Sequence, residues 1–284
     1  MKRALVVAAA ALSVAAPAFA DKRPEFVKTK SIGDKPTVQL DPTQGHILLR
    51  SSRQMPLYLM RMPSVEDQAA YDALRAEAFA EARGKYAKKL ASYEAARKAA
   101  APGQGGSAPD KPVEPTAANF EFTPFGMMAP VSIGPLNRFA KGEGGASTYL
   151  QAVTPGRYRV YGPIMPGANG AIVGACYCMG SVSFEAKAGE VVDVSVLAEL
   201  DGEATPDGAP LFVGERKPGA TPPPVDPRLA GMTVRPARFR PVGKIPNYFG
   251  LAITRLPAMP GVMRYDRDRV VDLTADAGAG AGVQ

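Results

Sequence analysis

Two periods of apolar residues run along the chain. A period of two recurs at 37–40, 157–162 and 181–186, and further short strand-like runs lie at 46–50, 57–61, 148–153 and 191–200. In 157–162 Tyr158 and Val160 fall on one face and Arg157 and Arg159 on the other, as side chains alternate along a strand. Turn residues punctuate the runs: Asp41-Pro42-Thr43-Gln44-Gly45, Thr154-Pro155-Gly156 and Ala188-Gly189-Glu190. Proline presets a turn's φ and glycine accepts a positive one. Strands at this spacing predict a mainly β fold, an antiparallel β-sandwich.

A helical period replaces this pattern at Ser64. Tyr71, Leu74, Ala78, Ala82, Tyr86, Leu90 and Tyr93 recur three or four residues apart and form one apolar seam. Ser64 is a fitting N-cap, acids crowd the first half and bases the second, in the sense the helix dipole favours. A helix over 64–100 would be about 55 Å long. Such a helix buries too little by itself, so the seam is expected to pack on the sandwich or on its own copy in a homodimer. Residues 101–116 are a Pro/Gly/Ala linker. Helix and linker thus read as an insertion into one sheet domain made of 37–63 and 117–213. Residues 21–36 read as an extended lead-in, 214–274 as a basic, Pro-rich, extended C-terminal arm and 275–284 as a flexible tail.

Residues 1–20 stand outside this scheme. Lys2 and Arg3 precede a short apolar run, and Ala18-Phe19-Ala20 is an A-x-A cleavage signal. They read as a bacterial signal peptide cleaved after Ala20, which predicts a periplasmic or secreted protein. No later run approaches the length of a transmembrane segment. Charge sharpens the picture. Eleven Lys/Arg against four Asp/Glu lie between Gly214 and Arg269, while the rest of the mature chain is slightly acidic. In an exported protein this points to an anionic envelope polymer or an envelope protein as partner, and not to nucleic acid. The plainer alternative is a solvated surface.

The pair TPGRYRVYG (154–162) and VSFEAKAGEVVDVSV (182–196) resembles PEGA-type domains and related uncharacterised exported β-sandwiches of bacteria, in which a PG-x-Y-x-V turn-strand precedes a strand ending in a G-E turn. DPTQGHILL (41–49) is a looser echo. The chain also resembles uncharacterised alphaproteobacterial periplasmic proteins. The resemblance implies an Ig-like or prealbumin-like sandwich used for display or binding, and it carries no catalytic residues.

Candidate chemistry is sparse. One histidine rules out a multi-histidine metal site and two cysteines rule out a Cys₄ site. Cys176-Tyr177-Cys178, between Gly174 and Gly180, leaves three readings open: a disulfide across a glycine-permitted bend, two reduced core thiols, or a Cu(I) site completed by Met179. His46 reads as a surface or hydrogen-bonded strand residue. Asp266-Arg267-Asp268 reads as a charged strand or turn. Arg235, Arg238, Arg240 and Lys244 interleave with Phe239 and Tyr248, a pattern that suits an anionic polymer or an arm with aromatics inward and arginines outward. The expected function is a non-catalytic envelope binding or structural protein, with no cofactor. The alternative is a copper- or redox-handling protein that uses Cys176 and Cys178.

Overall fold

The computed structural model describes residues 24–99, 110–142, 145–167, 170–199 and 224–275. The leader at 1–20, most of the linker and the tail beyond 275 lie outside the described residues. The first sheet takes β1 (Thr29–Ile32), β2 (Gly45–Ser51), β5 (Ala140–Lys141), β6 (Ser147–Val153), β10 (Glu190–Asp193) and β11 (Thr233–Pro236). Its order is β1-β6-β2-β10-β11, with β5 sharing an edge of β6. The second sheet takes β3 (Leu57–Arg61), β4 (Pro130–Ile133), β7 (Gly156–Pro166), β8 (Ile172–Cys176), β9 (Ser181–Ala186), β12 (Arg240–Val242) and β13 (Ala252–Ile253). Its order is β12-β9-β7-β3-β4, with β8 on the far end of β7 and β13 on β8. Residues 263–272 form a separate hairpin, β14 (Met263–Asp266) and β15 (Arg269–Asp272), which matches the strand-or-turn reading of Asp266-Arg267-Asp268.

The sheets face each other across one core. Ile47 and Leu49 of β2, Val153 of β6 and Val192 of β10 meet Leu59 of β3, Val160 of β7 and Val182 and Phe184 of β9. The alternate residues point outward, yet many are buried as well. Leu48, Leu150 and Val191 are covered by Leu229 and Phe139 on the first sheet. Met60, Tyr161 and Ile164 are covered by Ile245 and Leu251 on the second. Burial on both faces explains why β2 and β7 are nearly all apolar at their centres.

Four expectations change. The fold is mainly β, but its sheets are mixed: β2–β10, β10–β11 and β8–β13 pair in parallel. Hairpin turns make antiparallel neighbours, whereas strands distant in the chain can pair either way. Residues 37–40 are not a strand, because 29–32 takes the edge of β6 and Val38 and Leu40 instead cap the outer cluster. The strand expected over 191–200 stops at Asp193, whose Oδ1 accepts the Ser195 N–H at 2.9 Å, and α3 (Val196–Glu199) follows. Such a side-chain turn competes with the ladder. The 214–274 arm, where described, is woven into the body through β11, β12 and β13.

The long helix, α1 (Val65–Ala99), matches its predicted bounds within a residue and is about 52 Å long. Its start is a reciprocal cap: Asp67 N–H donates to Ser64 Oγ at 3.1 Å and Ser64 N–H to Asp67 Oδ2 at 2.9 Å. Only its first turns meet the core, through Ala70, Tyr71 and Leu74. Further along, the returning chain covers the seam: Phe122 packs on Tyr71 and Phe120 on Phe79, with ring centroids 5.5 and 5.1 Å apart. No α1 residue is fully buried, yet the seven seam residues are all half-buried. The first turns of the seam therefore pack on the chain itself. A four-residue helix, α2 (Phe125–Met128), leads back into β4. No helix among the described residues is long and apolar enough to cross a membrane.

Candidate functional site

The chain passes between the sheets twice at the same edge. It crosses at 187–189, from β9 to β10, and at 237–239, from β11 to β12. At the second crossing Ala237 N–H donates to the Asp193 carbonyl at 2.8 Å, and Phe239 enters the core against Phe184, centroids 5.9 Å apart. With Phe239 pointing in, Arg238 and Arg240 point out and are exposed. The inward-aromatic, outward-arginine reading of this stretch therefore describes its local packing.

The outward arginines do not stand alone. A cleft of about 790 Å³ is lined by Arg157 of β7, Lys187 of the first crossing, and Arg235, Arg238 and Arg240. Its carboxylates are Glu185 and Glu190. Arg235 pairs with Glu190 and also reaches the Glu185 carbonyl at 3.3 Å. Lys187 and Glu185 are 4.0 Å apart, at the limit of an ion pair. Arg157 donates to Ser183 Oγ at 3.3 Å. Arg240 contributes to holding the Asp272 carboxyl below the usual aspartate range, after the hydrogen bonds from Thr274. Five cationic side chains thus face two carboxylates, of which Glu190 is closely paired and Glu185 only at the limit of pairing. Guanidinium groups carry forked N–H donors that match carboxylate or phosphate oxygens and stay protonated throughout the physiological range. Such a surface can hold an anion and is poorly suited to moving protons.

Not every predicted binding residue reaches the cleft. Lys244 is exposed but does not line it. Tyr248 packs on the outer face of the second sheet, against Tyr161 with centroids 6.1 Å apart, and its hydroxyl accepts from Arg159 at 3.0 Å. Two lining cations, Arg157 and Lys187, were not among the predicted residues. The alternation of 157–162 already placed Arg157 opposite the core residues Tyr158 and Val160. Its approach to a segment some eighty residues away had no local signal.

Cys176 and Cys178 are joined as a disulfide, with Cα atoms 5.0 Å apart. The strand ends at Cys176 and the chain turns, Gly180 N–H donating to the Tyr177 carbonyl. Tyr177 points into the core between the sheets while both cysteines belong to the outer cluster. Met179 follows in the turn, its N–H bonded to the Thr254 carbonyl. With both sulfurs bonded, Cu(I) ligation by this pair requires prior reduction.

His46 departs from expectation. It is a strand residue, but it is 0% exposed, and apart from the approach of the Glu190 carbonyl neither ring nitrogen has a hydrogen-bond partner. Burial pushes its imidazole below the ordinary histidine value, against the opposing pull of the Glu190 carbonyl and the Asp41 carboxylate. The cause is its register: His46 shares the outward face of β2 with Leu48, and that face is covered by the 33–44 segment. Among the described residues no group of three His, Cys, Asp or Glu side chains is placed to hold a metal ion. No family model, no curated protein and no solved structure matches the chain.

Proposed function

We propose that the chain is an exported, non-catalytic binding protein of the cell envelope, and that it holds an anionic envelope polymer in the cleft walled by Arg157, Arg235, Arg238 and Arg240. One observation carries this reading. Arg238 and Arg240 project from a crossing whose Phe239 is fixed in the core, and they meet Arg157 and Lys187 from other elements. A rigid backbone positions the cations in advance, which lowers the cost of binding. The A-x-A leader supports export, and the strand-turn resemblance supports an Ig-like or prealbumin-like sandwich as the scaffold.

The test is retention of purified protein on lipopolysaccharide and on peptidoglycan at two salt concentrations. Retention is expected to fall with salt, since exposed charges are screened. The double substitution Arg238→Ala and Arg240→Ala is expected to weaken it about tenfold or more, as each charge-assisted hydrogen bond contributes on the order of 1.5–3 kcal/mol. Undiminished retention by that variant would refute the proposal. A second reading, copper or redox handling, rests on the Cys176–Cys178 pair. Titration of native protein should find no reactive thiol, and two after reduction in denaturant. Cu(I) uptake by the reduced protein that is lost on Cys176→Ser with Cys178→Ser would favour the second reading over the first.

A further inference from the structure

A separate cavity lies between the 30–44 segment and the outer face of the first sheet. It measures about 500 Å³, within the range of small-molecule sites. Ile32 and Val38 supply apolar lining, and Lys30, Lys35 and Asp41 are exposed charged groups around it. Neither lysine forms an ion pair among the described residues. Asp41 Oδ1 accepts from the Thr43 N–H and hydroxyl, at 2.8 and 2.6 Å, and Oδ2 accepts from no described residue. Buried His46 lines the same cavity, and beyond the approach of the Glu190 carbonyl its ring nitrogens have no partner.

Buried polar groups in native proteins are nearly always satisfied, and an exception calls for an explanation. A neutral imidazole offers one donor and one acceptor; the Glu190 carbonyl approaches as an acceptor, which leaves the acceptor nitrogen for a ligand with a polar hydrogen. The charged groups are of both signs. A simple carboxylate would leave Asp41 opposing it, and a simple amine would meet two lysines. We propose that this cavity binds a small zwitterion of amino-acid or dipeptide size, its carboxylate held by Lys30 and Lys35, its ammonium by Asp41, and its polar body hydrogen-bonded to His46. The cavity is lined by other residues than the arginine cleft, and Glu190 lies between them, its carbonyl toward His46 and its carboxylate toward Arg235.

His46 is the sole histidine of the chain, so in tag-free protein its ring Hε1 resonance reports on this cavity alone. The protein is titrated at fixed pH with alanine, alanyl-alanine, acetate and ethylammonium. Alanine or alanyl-alanine is expected to move the resonance with saturation, and the two single-charge probes are expected to leave it in place. Lys30→Ala with Lys35→Ala, both at exposed positions that leave the fold intact by circular dichroism, should weaken that response about tenfold. The proposal is overturned if no probe moves the resonance, if acetate or ethylammonium moves it as far as the zwitterions do, or if the lysine variant responds unchanged.

Discussion

Arg61 and Asp67 meet at 2.6 Å at the root of the long helix. Arg61 also donates to the Phe26 carbonyl at 2.9 Å, and its Nε lies 3.4 Å from the Pro155 carbonyl. One guanidinium therefore ties the helix start, the N-terminal segment and the β6–β7 turn together. Burial tends to raise the Asp67 pKa, but the hydrogen bonds from Ser64 and the charge of Arg61 outweigh it and hold the carboxyl below the usual range. A carboxyl with a lowered folded pKa adds stability above its unfolded value, about pH 4, and loses it as pH falls through the folded value. Asp67→Ala should cost about 3 kcal/mol at neutral pH, since it breaks a largely buried pair and a helix cap. Its deficit relative to the parent should shrink below pH 4. Urea unfolding at pH 7 and pH 3 measures both.

Glu190 engages Arg235 inside the cleft. Glu190→Gln removes that internal competitor and one of the two cleft carboxylates. On the proposed function, polymer affinity should rise about fivefold, close to 1 kcal/mol, and its salt dependence should steepen. Retention on lipopolysaccharide across a salt series reads both.

Gly162 lies where β7 and β8 come closest. It has φ +147°, and a Cβ there would sit 2.1 Å from the Ala175 carbonyl oxygen. Gly162→Ala must move a backbone and should destabilise by more than about 2 kcal/mol. Gly84 is the contrast: it lies inside α1 with nothing within 4 Å of an added Cβ. Gly84→Ala should stabilise by up to about 1 kcal/mol. Thermal melts of the two variants should shift in opposite directions.

Phe79 and Phe120 pack with tilted rings, centroids 5.1 Å apart, so the chain can be rejoined there. Replacing 80–119 with a short Gly-Ser turn should leave the sheets folded, because the core contacts of α1 come from Ala70, Tyr71 and Leu74. Circular dichroism should lose helix signal, while the melting temperature falls by only a few degrees. Sedimentation of parent and deletion tests whether the distal helix joins two copies. A dimer converted to monomer would assign it that role.

Several elements were legible because their cause is local. The cap at Ser64, the seam from Tyr71 to Tyr93 and the dipole-matched charges specify α1 almost to the residue. Alternation specified β7 and β9, and short apolar runs between turn residues specified β2, β3 and β6. It failed where local pattern and pairing diverge. Mostly polar 29–32 carries no alternation yet takes an edge of β6, while alternating 37–40 has the pattern and finds no strand partner. In the cleft, 235–240 was legible as an alternating segment with Phe239 inward, but the same pattern could not distinguish Tyr248, which packs on Tyr161.

From the sequence alone follow the mainly β class, the helix and its bounds, and the concentration of positive charge in the last third, since each depends on neighbours a few residues apart. Only the tertiary structure decided that Arg157 and Lys187 join Arg235, Arg238 and Arg240, that Cys176 and Cys178 are bonded, and that His46 is buried. Those outcomes depend on where the chain turns and which distant strand supplies the neighbour, and that choice is made by burial of the whole core.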